Sequence, residues 1–293
     1  IYFLGCLIIG RTNLSEWAYS FTENAPSGFS AVGGQCLHPV DYHEDVSGSS
    51  SGSAAGTKLN LCTFAIGTET QGSIISPAVN VRDICSLKPS LGSWPGQDVI
   101  PVNYDQDTCG PMARTVGDVE LLHRIASGRN KTTADVSRSL RVGYLGKSIS
   151  IEFVFFLCFY VLSSGESIEG NLLIQSLTPF LPLTTLVDLN ADEVLGELIS
   201  SVLDSSNQCN TSFRDILCYA LARDIPAYLS SHSSFYSHQT LASLIEWNSS
   251  HPEYIPYGQS LFLRAQNSSI TAEVYNKYKQ TINESFQKLV EYL

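Results

Sequence analysis

Two glycine- and serine-rich loops flank one short apolar run: Ser47-Gly-Ser-Ser-Ser-Gly-Ser-Ala-Ala55 and Gly67-Thr-Glu-Thr-Gln-Gly-Ser-Ile-Ile-Ser-Pro77. Between them, the alanine-rich stretch 53–61 predicts a helix and the apolar run 62–67 predicts a buried strand. Loops on either side of one buried strand can meet in space. We therefore expect the hydroxyl of Ser49 to lie close to that of Ser73, which follows 24 positions later.

The first loop contains two shorter patterns that predict different chemistry. Gly48-x-Ser50-x-Gly52 matches the nucleophile elbow of α/β-hydrolases, which makes an esterase with Ser50 as nucleophile an alternative. That elbow must follow a buried strand, whereas residues 40–46 are polar, so the pattern is disfavoured. Gly52–Lys58 differs from a phosphate-binding loop because Thr57 stands between the second glycine and the lysine.

Taken together, the two loops resemble the amidase signature family, whose loops read G-G-S-S-G-G-S-A and G-T-[DE]-T-x-G-S-I-x-x-P. The interval between the two key serines also agrees with that family. Further matches follow at 9–18, 33–36, 86–90, 99–102, 106–108 and 110–118, and the stretch 241–259 resembles the peptide-amidase-like branch. The resemblance is dense over residues 5–145 and thinner over residues 180–293.

The resemblance implies an α/β fold, an α/β/α sandwich around a mixed, mostly parallel sheet that is incomplete in this chain. It also implies a Ser-Ser-Lys relay, in which Ser73 is the nucleophile and Ser49 is the bridging serine, held in a cis peptide. The backbone N–H groups of Thr70, Gln71, Gly72 and Ser73 match the oxyanion hole. Ser50 and Glu69 match supporting positions. Gln71 departs from the Gly or Asp that is usual there, and Ser51 replaces a common Gly.

The base lysine of the family lies in a strand farther upstream, and no lysine precedes Lys58 in this sequence. We therefore expect a chain that is truncated at both ends and lacks its general base. The predicted reaction is hydrolysis of a carboxylic amide C–N bond through a serine acyl-enzyme, with no cofactor and no metal. The alternative from the same motifs is an inactive amidase-fold remnant or binding protein.

Periodicity and capping residues predict the remaining elements. Strands are expected at Gly5–Gly10, 84–87 and 141–145, and helices at 115–127, 190–203 and 271–293. Residues 205–268 are predicted to be helix and loop. We expect a single domain over 1–293, in which the apolar stretch 146–166 is either a buried element or an insertion foreign to the fold.

Composition limits the partners. The 17 basic and 28 acidic residues give a net charge of −11, which argues against nucleic acid. The apolar run 153–162 is too short to span a bilayer. The eight scattered cysteines form no CxxC pair, so no zinc site is predicted. Six N-x-S/T sequons favour a glycoprotein on a secretory route, with a cytoplasmic location as the alternative. The expected partner is a small-molecule or peptide amide.

Overall fold

The computed structural model describes residues 5–128, 140–144, 184–188 and 211–292. The helix predicted over 190–203 and the stretch 146–166 lie outside the described residues. The chain divides into two compact units. The first comprises Ile1–Lys131 and Arg214–Ser269, and the second comprises Thr132–Phe213 and Ile270–Leu293.

The central sheet of the first unit is antiparallel. It consists of β3 (Phe64–Glu69), β4 (Cys85–Ser86) and β5 (Thr108–Ala113) in the order β3-β5-β4. The register places Gly67 opposite Gly110 and Glu69 opposite Thr108. The sequence correctly predicts a strand after the first loop, but the pairing within residues 5–128 is antiparallel rather than mostly parallel.

Two short helices pack beside this sheet. They are α1 (Ser51–Lys58) and α2 (Ile75–Val81), and between them lies an apolar cluster that includes Val46, Ala54, Ile74 and Met112. The small side chains of α1 let it approach the sheet closely, so seven of its eight residues are buried. Consequently the two loops of interest are held on a rigid support.

Helix α3 (Val116–Ser127) forms as the sequence predicts. The Thr115 side chain accepts a hydrogen bond from the Asp118 N–H, and Gly128 ends the helix in the left-handed region at φ 66°. Both are ordinary capping devices that satisfy the free backbone groups at a helix end.

A second apolar cluster of the first unit is helical, as predicted for residues 211–268. It contains α4 (Phe213–Ser231), α5 (Leu241–Ser250) and α6 (Ser260–Gln266). The Phe262 ring packs edge-on between the rings of Trp17 and Phe21, at centroid distances of 5.0 and 4.9 Å. Short turns at Glu16–Tyr19 and Pro252–Tyr254 and the hairpin of β1 (Phe29–Ser30) and β2 (Gly34–Gln35) complete this unit.

The second unit contains a parallel strand pair, β6 (Leu140–Tyr144) with β7 (Thr184–Asp188), and the long helix α7 (Ala272–Tyr292). The predicted strand at 141–145 and helix at 271–293 are thus confirmed to within one residue. On α7 the side chains of Tyr275 and Tyr278 are buried, in agreement with an amphipathic helix.

One predicted strand is wrong. Residues 5–10 form no strand, and Leu7, Ile8 and Ile9 are 84%, 63% and 66% exposed. A strand needs a hydrogen-bonded neighbour, and none of the described residues pairs with this segment. Among the helices of the described ranges, none combines the length and apolar character that a membrane span requires.

Candidate active site

The structure brings the two loops into direct contact. The backbone N–H of Ser50 donates to the carbonyl oxygen of Ser73 over 3.0 Å. The contact thus joins the residue that follows Ser49 to Ser73 itself. The strand β3 lies between the two loops in sequence, so the sequence-based expectation that they meet is fulfilled at the level of the backbone.

Ser49 is fully buried and firmly positioned. The Gly48–Ser49 peptide bond is cis, as the family resemblance implied. The Ser49 carbonyl oxygen accepts a hydrogen bond of 2.9 Å from the Ser15 N–H. By contrast, the Ser49 hydroxyl oxygen is buried without a hydrogen-bond partner among the residues that the structure describes. Such a buried polar atom is costly and requires an explanation.

By contrast, the hydroxyls of the neighbouring serines Ser50 and Ser53 are hydrogen-bonded to the backbone of β3. The Ser50 hydroxyl accepts from the Thr68 N–H at 3.0 Å and donates to the Thr68 carbonyl at 3.1 Å. The Ser53 hydroxyl donates to the Ile66 carbonyl at 2.8 Å. Close approach requires Gly67, because a Cβ atom there would lie 2.6 Å from the Ser50 hydroxyl oxygen.

Glu69 braces the second loop from inside. Its side chain is 1% exposed, and its Oε2 atom accepts from the N–H groups of Ile74 and Ile75 at 2.7 and 3.0 Å. The Oε1 atom has no hydrogen-bond partner within the described residues. The carboxylate thereby closes a tight ring over residues 69–75 at the start of α2.

Ser73 lies at the tip of this ring with 9% of its surface exposed. Gly72 precedes it at φ 75°, a conformation that glycine adopts without steric cost. The Gly72 carbonyl accepts from the Ser76 N–H at 2.7 Å, which fixes the direction of the peptide groups. Gln71 is half-buried beside it.

Thr70 connects the loop to a residue that the motif comparison did not single out. Its hydroxyl donates to the Asp107 Oδ1 atom at 2.5 Å. The other Asp107 oxygen accepts from the N–H groups of Val102 and Asn103 at 2.8 and 2.9 Å. Burial raises the pKa of Asp107 to about 6, and its hydrogen bonds from Thr70, Asn103 and Val102 oppose that shift.

Asn13 supports the first loop, which the sequence did not predict. Its carbonyl accepts from the Gly52 N–H at 2.8 Å, and its side-chain amide donates to the carbonyls of Gly28 and Gly34, both at 2.9 Å. A Cβ atom on Gly52 would lie 2.5 Å from the Asn13 carbonyl oxygen, so glycine is required there.

These contacts also bear on the predicted glycosylation. The amide nitrogen of Asn13 is occupied inside the fold, and Asn248 is 9% exposed with its amide bonded to Gln259. Neither sequon is therefore accessible in the folded protein. Asn267 and Asn283 are exposed, and the sequons at 130 and 210 lie outside the described residues.

The two lysines nearest to the site in sequence are engaged elsewhere. Lys58 forms an ion pair with Asp83 at 2.5 Å, and this pairing lowers the pKa of Asp83. Lys88 donates to the Gln106 carbonyl at 2.9 Å. Within the described residues, His, Cys, Asp and Glu side chains form no group of three that is suited to a metal ion.

Comparison with known proteins places this site in a family. A family model described as Amidase matches residues 3–146. A putative amidase of Arthroderma benhamiae is 41% identical over 126 residues, which cover 43% of this chain and 21% of that protein. The chain therefore matches only part of the length of such relatives.

Solved structures extend the likeness over nearly the whole chain. The peptide amidase of Stenotrophomonas maltophilia has 26% identity and a TM-score of 0.69, covering 94% of this chain and 55% of that protein. An amidase family protein of Bacillus anthracis has 27% identity and a TM-score of 0.72, covering 98% and 56%. These neighbours confirm the α/β class, and the chain carries part of their fold. Residues 3–146 of the chain thus belong to the amidase family, and the described fold resembles that of the solved amidases.

Proposed function

We propose that this chain carries the nucleophile region of an enzyme that hydrolyses a carboxylic amide through an acyl-enzyme on Ser73. The observation that carries the proposal is the contact between the two loops. The Ser50 N–H donates to the Ser73 carbonyl, and the buried Ser49 hydroxyl has no hydrogen-bond partner among the described residues. A hydroxyl in that position is free to pass a proton. Membership in the amidase family supports the same reaction class.

In the proposed reaction, the Ser73 hydroxyl oxygen attacks the amide carbonyl carbon. Its proton passes through the Ser49 hydroxyl to a basic amine, which then protonates the leaving nitrogen as the C–N bond breaks. Water hydrolyses the ester by the same route. Serine is a weak nucleophile without such a base, so the relay is necessary for turnover.

The loop before Ser73 supplies the electrostatic part. The backbone N–H groups of residues 70–73 are proposed to stabilise the negative charge that develops on the acyl oxygen. Loss of one such donor typically costs about 3 kcal/mol of barrier. Glu69 contributes indirectly, because its carboxylate fixes the ring of backbone over 69–75 on which these groups lie.

The proton acceptor is the part of this proposal that the described residues do not supply. Lys58 and Lys88 are both engaged away from Ser49, in contacts with Asp83 and the Gln106 carbonyl. The family resemblance implies a lysine in this role. If the natural protein has no such lysine, the alternative is an inactive relative that binds amides without cleaving them.

An esterase that uses Ser50 is a weaker candidate. The Ser50 hydroxyl is buried and has both a donor and an acceptor contact with Thr68. Residues 40–46 form no strand, so the elbow geometry has no basis. A nucleophile needs an accessible oxygen with an adjacent base, which this hydroxyl does not have.

The substrate class proposed is a small-molecule or peptide amide. One structural neighbour is named a peptide amidase. The net charge of −11 argues against a nucleic-acid partner.

Ammonia release from a panel of primary amides tests the proposal. We expect turnover by the natural protein, loss of at least about a thousandfold in Ser73→Ala, and a smaller loss in the matched variant Ser50→Ala. Full activity of Ser73→Ala would overturn the proposal. Absence of turnover, restored by a small primary amine in the buffer, would identify the missing base. Absence in both conditions would favour the inactive alternative.

A further inference from the structure

Asp107 links the loop that contains Thr70 and Ser73 to the loop 102–107 of the same unit. One carboxylate oxygen accepts from the Thr70 hydroxyl at 2.5 Å, and the other accepts from the N–H groups of Val102 and Asn103. A backbone hydrogen bond also stabilises the turn at 103–107, in which the Asp107 N–H donates to the Asn103 carbonyl at 2.8 Å. One side chain thus determines the separation of two loops.

The loop 102–107 is itself held by helix α4. Asp224 on that helix is 3% exposed, and its Oδ2 atom accepts from the Tyr104 N–H at 2.8 Å. Arg223 donates to both oxygens of Asp224 and reaches Asp105 at 3.3 Å. The loop 102–107 is therefore a fixed support, and its contact with Thr70 fixes the position of the loop that leads to Ser73.

Few charged or titratable groups face Asp107. Lys88 follows β4 and favours the ionised form of Asp107 through its positive charge. Burial raises the pKa of Cys109 on β5 and of Tyr104 in the same loop; the Asp107 charge adds to the shift of Cys109, and the charges of Asp224 and Asp107 add to that of Tyr104. All three hydrogen-bond donors to Asp107 require acceptor oxygens. The carboxylate accepts all three hydrogen bonds as they stand, whereas a protonated carboxyl carries an O–H donor and would have to reverse the Thr70 contact or break one of the three.

We infer that Asp107 is a positioning residue, whose ionised carboxylate holds Thr70 and thereby aligns the backbone N–H groups of residues 70–73 toward the reacting carbonyl. The inference rests on the proposed function, since it assigns Asp107 a role in that same site. Asp107 does not contact the substrate in this account. Its influence passes through the Thr70 hydroxyl.

Hydrogen–deuterium exchange tests the inference without any need for turnover. In the full chain at pH 7.5, we expect Asp107→Asn and Thr70→Val to lower the protection of peptides covering 69–75 about tenfold, the effect of losing a hydrogen bond to a charged group. Thr70→Val should leave the peptide covering 100–106 protected, because Asp107 keeps its contacts with Val102 and Asn103. Thr70→Ser, which retains the hydroxyl, should restore protection of 69–75.

The matched control is Asp98→Asn, which removes a carboxylate whose side chain is 78% exposed. It should change neither peptide. Equal protection of 69–75 in the wild type, Asp107→Asn and Thr70→Val would overturn the inference.

A kinetic arm separates this inference from the proposed function. With an amide substrate, Asp107→Asn should lower kcat more than it raises KM, and it should remove a component of the acid limb of the kcat profile near pH 6. If the exchange results hold but no turnover is found, the positioning role stands and the proposed function fails. If turnover is found and Asp107→Asn leaves kcat and its pH profile unchanged, the inference fails and the proposed function stands.

Discussion

The backbone N–H of Ser50 lies 3.0 Å from the carbonyl oxygen of Ser73 and donates a hydrogen bond to it. This contact ties together two loops that are separated by α1 and β3 in the chain. Ser49 is fully buried, whereas Ser73 keeps 9% of its surface exposed. The predictions that follow depend on this arrangement.

Ser49→Ala should impair activity without impairing stability. The Ser49 hydroxyl has no hydrogen-bond partner in the part of the chain that the structure describes, so its removal leaves no contact broken. We expect the free energy of unfolding in urea to change by less than about 0.5 kcal/mol. Ser53→Ala is the matched control and should lose about 1 kcal/mol, because it breaks the bond to the Ile66 carbonyl. A large destabilisation by Ser49→Ala would mean that its hydroxyl has a structural partner.

Glu69→Ala should destabilise the second loop strongly. It leaves the buried N–H groups of Ile74 and Ile75 without their acceptor. We expect a loss of about 2–3 kcal/mol in the free energy of unfolding, measured by urea denaturation. Glu44→Ala provides the comparison, since that carboxylate is 44% exposed and pairs with Arg82 at the surface. Equal effects of the two substitutions would show that Glu69 does not brace the loop.

Gly67→Ala should force the two loops apart. The added Cβ atom would lie 2.6 Å from the Ser50 hydroxyl oxygen and 2.9 Å from the Ser50 Cβ atom, both too close for real contacts. Overpacking of this kind costs about 1–3 kcal/mol, which thermal denaturation would detect as a lower Tm. At Gly96 an added Cβ atom meets nothing within 4 Å, so Gly96→Ala should leave Tm nearly unchanged.

Asp107 should make stability depend on pH in a direction opposite to that of a salt-bridged carboxylate. Its pKa is raised from 3.8 to about 6, chiefly by burial, so the folded protein holds this proton more tightly than the unfolded chain. The Asp107 contribution to stability is therefore largest below pH 4 and is lost as pH rises toward 6. It amounts to about 3 kcal/mol over that range.

Urea unfolding of the wild type and of Asp107→Asn at pH 4, 5, 6 and 7 measures this contribution. The stability of the wild type relative to the variant should fall as pH rises, and other carboxylates cancel in the difference. A relative stability that rises with pH, or that does not change, would contradict the assigned direction.

The sequence predicts those parts of the fold that local contacts determine. Thr115 and Gly128 begin and end α3 through their own backbone, and β3 is recognisable from its apolar run. The strand predicted at 5–10 is wrong because an apolar run indicates a preference for burial but does not provide the hydrogen-bonded partner strand that a sheet requires. The antiparallel direction of the β3–β5 pair is not evident from the sequence either, because it depends on how the chain returns from β3 through α2 to β5.

The candidate site divides in the same way. Ser49, Ser73, Thr70 and Glu69 could be selected from two short motifs whose spacing is fixed. Asp107 and Asn13 could not be assigned their contacts, because Thr70 and Asp107 are 37 positions apart and the Asn13 amide binds carbonyls of Gly28 and Gly34. Such contacts leave no periodic or local signal in the sequence.

The most direct test of the account is to locate the adduct of a fluorophosphonate on the natural protein by peptide mass spectrometry. A reactive serine with an adjacent proton acceptor should be labelled, so we predict an adduct on Ser73 that is absent in Ser73→Ala and much reduced in Ser49→Ala. An adduct on Ser50, or labelling of Ser73 that Ser49→Ala leaves unchanged, would contradict the central claim that these two serines act together.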